Sequence, residues 1–159
     1  MEKRQYISML VQSLQKKNRI LDEIMEINRR QRDILDNPNA DPDDFDKTVE
    51  EKSERIEELD CLDDGFQEVF HEVKDELERH KASYAVEITQ MQQLIKELTD
   101  KSASIQVQES RNKKLMEQRF ASVKKQAREV RKSQKVVNQY YKNMMRTNYI
   151  DPQFTDSKK

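Results

Sequence analysis

Glycine and proline are nearly missing from the centre of this 159-residue chain. Between Pro42 and Pro152 there are 109 residues without proline, and Gly65 is the one glycine of the whole sequence. Both residue types interrupt helices, proline through its missing N–H and ring clash, and glycine through its backbone entropy. Their absence, together with apolar residues that recur every three or four positions, predicts long amphipathic helices that pack on one another.

Cysteine and long apolar runs are also scarce. Cys61 is the only cysteine, which excludes an intrachain disulfide. No apolar run approaches the ~20 residues that a membrane-spanning helix needs. The first residues lead directly into an amphipathic pattern and not into the apolar core of a signal peptide. We therefore expect a cytoplasmic protein that does not bind membranes.

The sequence lacks the residue patterns that carry catalysis. It contains no glycine-rich loop, no nucleophile elbow and no cluster of Cys or His with ligand spacing. His71 and His80 are nine residues apart, which places them on opposite sides of a helix. His80 falls at an apolar seam position and is interpreted as a tolerated polar core residue. We expect no enzymatic activity, no metal site and no cofactor, because nothing marks a pocket in which pKa values would be perturbed.

What the chain does contain is charge, at 38% of residues against 34% hydrophobic residues. Such a composition fits either intrinsic disorder or narrow helices that bury one seam each. The net charge of −1 and the strong periodicity favour folded helices. The sequence therefore predicts one all-α domain over residues 1–159, an elongated antiparallel bundle or coiled coil of about three long helices.

The first two predicted helices have well-marked starts and stops. The first covers residues 3–36 and ends at Asn37-Pro38, and polar residues at Lys17, Asn28 and Gln31 interrupt its apolar stripe. The second starts after Asp41-Pro42, because Asp is a good N-cap and proline suits the first helical position. Its seam keeps a three–four alternation from Phe45 to Ile105, with polar residues in a few slots, Lys52 among them.

The breaks within the remaining chain are harder to place. At Gly65 the helix either continues, with a kink at most, or turns, and the unshifted phase of the seam favours continuity. From Thr99 to Asn112 weak helix formers coincide with a shift of the seam. We therefore predict one helix over 43–98, a reversal or a loosened turn near 99–105, a third helix over 105–146 and a tail at 147–159.

Acidic and basic residues are separated along the chain. Residues 41–78 contain 17 acidic and 4 basic residues, while residues 111–135 contain 10 basic and 2 acidic residues. The two blocks either lie against each other in an antiparallel fold or face different partners. The basic block could neutralise phosphates, but a solvated or paired face explains it as well, and the overall charge argues against a polyanion. We expect no nucleic-acid binding.

Methionine and tyrosine concentrate near the C-terminus. Both make adaptable contact surfaces, because methionine is flexible and polarisable and tyrosine combines area with a hydroxyl. One interpretation is that Val137, Tyr141 and Met144 only continue the core of the third helix. The other is that the segment binds a partner in a groove. The candidate partner-binding residues are Val137, Tyr140, Tyr141, Met144, Met145 and Ile150.

Three stretches carry a family resemblance. They are Tyr6-Ile-Ser-Met-Leu followed by Leu14-Gln-Lys-Lys-Asn-Arg-Ile-Leu-Asp-Glu-Ile, then Phe45-Asp-Lys-Thr-Val-Glu-Glu-Lys with Ile56-Glu-Glu-Leu-Asp-Cys-Leu-Asp-Asp-Gly-Phe66, and finally Asn138-Gln-Tyr-Tyr-Lys with Asp151-Pro-Gln-Phe154. Together they resemble the small flagellar export chaperones of the FlgN and FliT kind, in the form found in clostridial bacteria. The most specific parts are the Leu-Asp-x-x-Asp-x-Gly-Phe text and the Tyr-Tyr ending.

The resemblance implies a cytosolic binder that is not an enzyme. Such chaperones hold late flagellar subunits, typically hook-associated proteins, in an export-ready state and release them at the type III export apparatus. An alternative that the residues leave open is a structural coiled-coil adaptor, in which the seam from Phe45 to Ile105 pairs with a second copy. The partners expected are thus an exported flagellar subunit, the export apparatus, or a homodimer.

Overall fold

The computed structural model describes residues 2–119, 131–132 and 135–142, and all of its regular structure there is α-helical. Three long helices follow one another: α1 is Lys3–Asp36, α2 is Pro42–Arg79 and α3 is Ala85–Arg119. The predicted all-α class with about three long helices is confirmed. The predicted bounds of the first helix are also confirmed. The single-domain assignment stays a prediction, and the predicted tail at 147–159 lies outside the described residues.

The start of α2 follows the predicted capping chemistry. The Asp41 carboxylate accepts a hydrogen bond from the Asp43 backbone N–H at 3.0 Å, and Pro42 occupies the first turn. Asp43 and Asp44 add negative charge where the unpaired N–H groups of the helix give a positive potential. The short connection from Asn37 to Asp41 therefore ends one helix and starts the next within a few residues.

The predicted helix over 43–98 and the predicted reversal or loosened turn near 99–105 are wrong. The chain reverses at residues 80–84, so the predicted second helix is divided between α2 and α3. The His80 carbonyl accepts hydrogen bonds from the N–H groups of Ser83 and Tyr84, at 3.0 and 3.3 Å. The predicted third helix over 105–146 is wrong in the same way, because residues 105–119 belong to α3.

Two physical facts explain the misplaced turn. Leu77 and Tyr84 are both buried and lie seven residues apart, so the heptad phase passes through the turn without a shift. Phase continuity therefore did not indicate helix continuity. The reversal at 80–84 also gives helices of 34, 38 and 35 residues, each about 51–57 Å long. Matched lengths bury the apolar stripe of every helix along its whole extent.

The weak helix formers near Thr99 are accommodated inside α3. The hydroxyl of Thr99 donates to the Ile95 carbonyl at 3.0 Å, and that of Ser102 donates to the Leu98 carbonyl at 2.6 Å. Each hydroxyl is thus satisfied by the preceding helical turn. Ser102 is buried, so packing against the bundle outweighs its modest helix propensity.

Helix α1 is the shared partner of the other two long helices, and it packs along both α2 and α3. It runs antiparallel to α2, since Arg30 near its C-terminal end pairs with Glu51 near the start of α2. It runs parallel to α3, since Arg4 pairs with Glu87 at 3.3 Å and Asp22 with Lys101 at 3.0 Å. The main core lies between the three helices and also receives side chains from residues 135–142.

This packing buries the apolar seam from Phe45 to Ile105 inside a single chain. Ile56, Leu59, Val73, Met91 and Leu98 are each at most 2% exposed. The adaptor hypothesis assumes that this seam pairs with a second copy. Because the seam is already buried within one chain, it is not available for such pairing. His80, predicted as a polar core residue, instead lies exposed in the reversal, because the turn removes it from the helix seam.

The charged blocks do not neutralise each other where the structure describes them. Within residues 2–119 none of the basic side chains of the block at 111–119 forms a salt bridge with α2. Asp63 and Glu51 of the acidic helix α2 instead form salt bridges with Lys17 and Arg30 of α1. The outer face of α2 remains acidic and solvated.

Helix α2 passes through Gly65 without a break, which confirms the expected continuity. The residue has no positive φ, and a Cβ atom added there would meet no atom within 4 Å. The glycine thus serves neither a turn nor a close approach within the described chain.

We predict that Gly65→Ala stabilises the protein by about 1 kcal/mol, the usual difference between these residues in a helix interior. Urea unfolding followed by circular dichroism measures the change. Gln67→Ala, at another exposed position of α2, is the control with an effect within about 0.5 kcal/mol. A loss of stability for Gly65→Ala would contradict the continuous helix.

Candidate functional site

Residues 135–142, here named the tyrosine segment, contain the described part of the predicted partner-binding site. Val137, Tyr140 and Tyr141 are only 2%, 2% and 1% exposed. All three belong to the main hydrophobic core, whereas Val136 on the opposite side of the segment is 54% exposed. The structure therefore brings three predicted residues together, but it turns them into the bundle and not toward solvent. Met144, Met145 and Ile150 lie outside the described residues.

Tyr140 contacts the acidic helix α2. Its hydroxyl donates to the carboxylate of Asp63, which in turn pairs with Lys17 of α1. Burial raises the pKa of Tyr140 far above its ordinary value, and the negative charge of Asp63 raises it further. The contact thus joins the tyrosine segment, α2 and α1 in one chain of polar groups. It requires the neutral phenol, because the Tyr140 hydroxyl must keep its proton to donate to Asp63.

Tyr141 lies against its neighbour and points toward α3. The two tyrosine rings meet edge to face, with centroids 5.5 Å apart and planes at 71°, an arrangement that aromatic pairs prefer. Burial raises the pKa of Tyr141 well above its ordinary value, and the nearby Glu109 carboxylate raises it further. Within the described residues its hydroxyl has no hydrogen-bond partner. This buried phenol is therefore less well satisfied than that of Tyr140.

A layer of buried polar side chains, which includes Glu109, crosses the bundle. The ammonium group of Lys52 donates to both Glu109 carboxylate oxygens at 2.8 and 2.9 Å. It also donates to the amide oxygens of Asn28 and Gln31, each at 2.9 Å. Asn112 completes the layer by donating to the Asn28 backbone carbonyl at 2.9 Å. We call these five residues the polar layer, and each of them is at most 5% exposed.

The polar layer fixes how the three helices align. Burial lowers the pKa of Lys52, and the Glu109 carboxylate opposes that change. A buried ion pair adds little net stability over apolar residues, but removal of one partner leaves an unpaired charge in the core. Sliding any helix by one turn would also leave a charge unpaired in the core, since Lys52, Glu109 and the two amides come from three different helices. The layer therefore selects one register.

Asn28, Gln31 and Lys52 are recognisable in the sequence as polar residues at seam positions, whereas Glu109 and Asn112 are not. The available signal was that polar residues occupied seam slots on more than one helix. Such residues are buried only when they are paired, so they predict one another as partners. The sequence does not show which polar seam positions of α1 and α2 lie opposite those of α3, because the turn at 80–84 sets the alignment of α3.

The described residues contain neither a metal centre nor a membrane span. No group of three or more His, Cys, Asp or Glu side chains within 2–119, 131–132 and 135–142 is arranged to hold a metal ion. In the same part of the chain no helix is long and apolar enough to cross a bilayer.

The fold and the site together define a class of protein, a slender helical bundle that offers surfaces and a buried aromatic segment. The particular family follows from comparison with known proteins. The family model described as FlgN protein matches residues 1–147, and the chain therefore belongs to the FlgN family of flagellar chaperones. No curated protein matches the chain, and no solved structure does.

We predict that Lys52→Met destabilises the bundle by about 3–5 kcal/mol, because Glu109 is left buried and unpaired. The double variant Lys52→Met with Glu109→Leu recovers most of this loss, since no lone charge remains. Urea denaturation measures both. Arg30→Ala breaks the exposed pair with Glu51 and is the control, with an expected cost below about 1 kcal/mol. Equal losses for Lys52→Met and Arg30→Ala would contradict the role of the layer.

A second prediction concerns alkaline pH. The pKa values of Tyr140 and Tyr141 are raised in the folded state above an ordinary value of 10.0. Their contribution to stability is therefore complete below about pH 10 and is lost as the pH rises above that value. We expect urea stability to fall above about pH 10, and to fall less in the Tyr140→Phe/Tyr141→Phe variant. Ultraviolet titration that shows both phenols ionising near pH 10 in the intact bundle would contradict their burial.

Proposed function

We propose that this protein is a cytoplasmic chaperone for late flagellar subunits, hook-associated proteins in particular. It keeps a subunit export-competent until the subunit reaches the type III export apparatus. The observation that carries the proposal is the FlgN family match over residues 1–147, which includes the whole tyrosine segment. No catalytic role is proposed, and no cofactor is required.

The contact with the subunit is proposed to involve Val137, Tyr140, Tyr141, Met144, Met145 and Ile150. The first three are buried among α2, α3 and α1 side chains. They can reach a partner only when the tyrosine segment leaves the core. The two methionines and Ile150 continue the same apolar pattern beyond the segment, so they are the residues proposed to meet the subunit first.

Energetics favours an amphipathic helix as the recognised element. Full burial of a large apolar side chain contributes roughly 1.5–3 kcal/mol, so exposing three of them opposes binding. A partner must replace that burial, and the apolar stripe of a subunit helix can do so. Recognition of an aggregation-prone helical end would follow from the same requirement.

The alternative is a structural adaptor that self-associates and has no role in export. The feature that separates the two functions is affinity for an exported subunit. An adaptor of this kind would bind other copies of itself, and it would do so equally well in the absence of any flagellar protein.

The decisive experiment is a calorimetric titration of the purified protein with a hook-associated protein from the same organism. A copy of the hook-associated protein that lacks its C-terminal helix serves as the matched partner. We expect binding with the intact subunit that is lost with the truncated one. Absence of heat with both partners would contradict the chaperone function and would favour the adaptor.

We further predict that Met144→Ala with Met145→Ala weakens this binding by at least about tenfold, because contact residues of this kind contribute more than ~1 kcal/mol to affinity. Urea stability should remain close to that of the unmodified protein. Lys142→Ala, on the exposed side of the tyrosine segment, is the control and should leave affinity unchanged. Equal affinities for the double variant and the control would remove the methionines from the site.

A further inference from the structure

The two adjacent hydroxyls of the tyrosine segment differ in how they are satisfied inside the core. Tyr140 and Tyr141 are almost equally buried, at 2% and 1% exposure. The Tyr140 hydroxyl donates to the carboxylate of Asp63 on α2. The Tyr141 hydroxyl has no hydrogen-bond partner among the residues that the structure describes. Because both rings are buried alike, the hydroxyl groups are where the contributions of the two residues differ.

The acceptor for Tyr140 is prepared by the bundle itself. The Asp63 side chain is 16% exposed, and it forms a salt bridge with the ammonium group of Lys17, whose side chain is 4% exposed. These two residues belong to α2 and α1, so their contact does not need the tyrosine segment. A hydrogen bond to a carboxylate is stronger than one between two neutral groups. The Asp63 carboxylate therefore stabilises the docked position of Tyr140.

The Tyr141 hydroxyl has the opposite effect. The nearest charged group named by its surroundings is the Glu109 carboxylate, and both oxygens of that carboxylate already accept hydrogen bonds from Lys52. A buried hydroxyl without a partner loses the hydrogen bonds that water would give it. Those hydrogen bonds are regained when the hydroxyl reaches solvent. The Tyr141 hydroxyl therefore opposes docking of the segment.

The tyrosine segment can open without disturbing the three long helices. Of its eight residues only Val137, Tyr140 and Tyr141 are buried, and the other five are exposed. The packing of α1 along α2 and along α3 does not involve the segment. A short element with few buried side chains opens at a lower free energy than the whole fold. Opening of this segment is thus a local event.

We propose that the two hydroxyls set the fraction of molecules in which the tyrosine segment is out of the core. The hydrogen bond from Tyr140 to Asp63 keeps the segment docked, and the unpaired Tyr141 hydroxyl favours its release. The consequence for the subunit rests on the proposed chaperone function. When only the open form binds, the apparent affinity is proportional to the open fraction. Asp63, which is not a proposed contact residue, then controls the affinity for the subunit.

Amide hydrogen exchange of residues 135–142, measured by mass spectrometry on the full chain without a partner, tests the proposal. Tyr140→Phe should increase opening of the segment at least about tenfold, the effect of losing one hydrogen bond to a charged group. Tyr141→Phe should decrease opening at least about fivefold, because it removes an unsatisfied buried hydroxyl. Lys142→Ala, at an exposed position of the segment, is the control and should stay within about twofold.

A second background isolates the contact with Asp63. The double variant Lys17→Met/Asp63→Leu removes the acceptor without leaving a lone buried charge. In this background Tyr140→Phe should no longer increase opening, because the hydroxyl has no carboxylate to lose. Exchange of the α1 amides should stay slow in every variant, which shows that the bundle remains folded. A tenfold increase that persists in the background would overturn the role of Asp63.

The calorimetric titration with the hook-associated protein gives a second readout. Tyr140→Phe should tighten binding and Tyr141→Phe should weaken it, by the same factors as the changes in opening. If the hydroxyls acted only as subunit contacts, both substitutions would weaken binding. Exchange that changes in the same direction for both variants, or in neither, would overturn the proposal. A titration without heat for every variant contradicts the chaperone function alone, and the exchange measurements then still decide the role of the two hydroxyls.

Discussion

The ammonium group of Lys52 lies between the three helices, and the residue is only 4% exposed to solvent. Its charge is tolerated because four oxygen atoms surround it, two from Glu109 and one each from Asn28 and Gln31. These atoms come from α1 and α3, while Lys52 itself belongs to α2. Apolar stripes alone permit helices to slide by a turn at little cost. The polar layer removes that freedom, so the position of every other contact depends on it.

The position of α1 follows from the same alignment. It contacts α2 on one side and α3 on the other, and its cations neutralise part of the acidic helix. The tyrosine segment then adds its three apolar side chains to the core that these helices form.

The two tyrosines show that a residue type suited to an apolar contact does not reveal whether its side chain is accessible. Their chemistry indicated contact with another helix, and the structure provides such contact inside the molecule. Tyr140 is a candidate partner-binding residue, yet its hydroxyl donates to Asp63 within the bundle. A sequence shows that a residue is suited to an apolar surface. It does not show whether that surface belongs to the same chain or to a partner.

The sequence by itself determined the helical class, the bounds of α1 and the start of α2, because these depend on local signals. The signals were the missing helix breakers, the seam periodicity and the Asp41-Pro42 cap. Only the tertiary structure decided where α2 ends. Residues 80–84 contain neither glycine nor proline, and the heptad phase crosses them unchanged, so the reversal there is set by matching helix lengths around α1. The polar layer and the burial of the tyrosine segment follow from that alignment, since both join residues far apart in the sequence, by 21 to 84 positions within the polar layer.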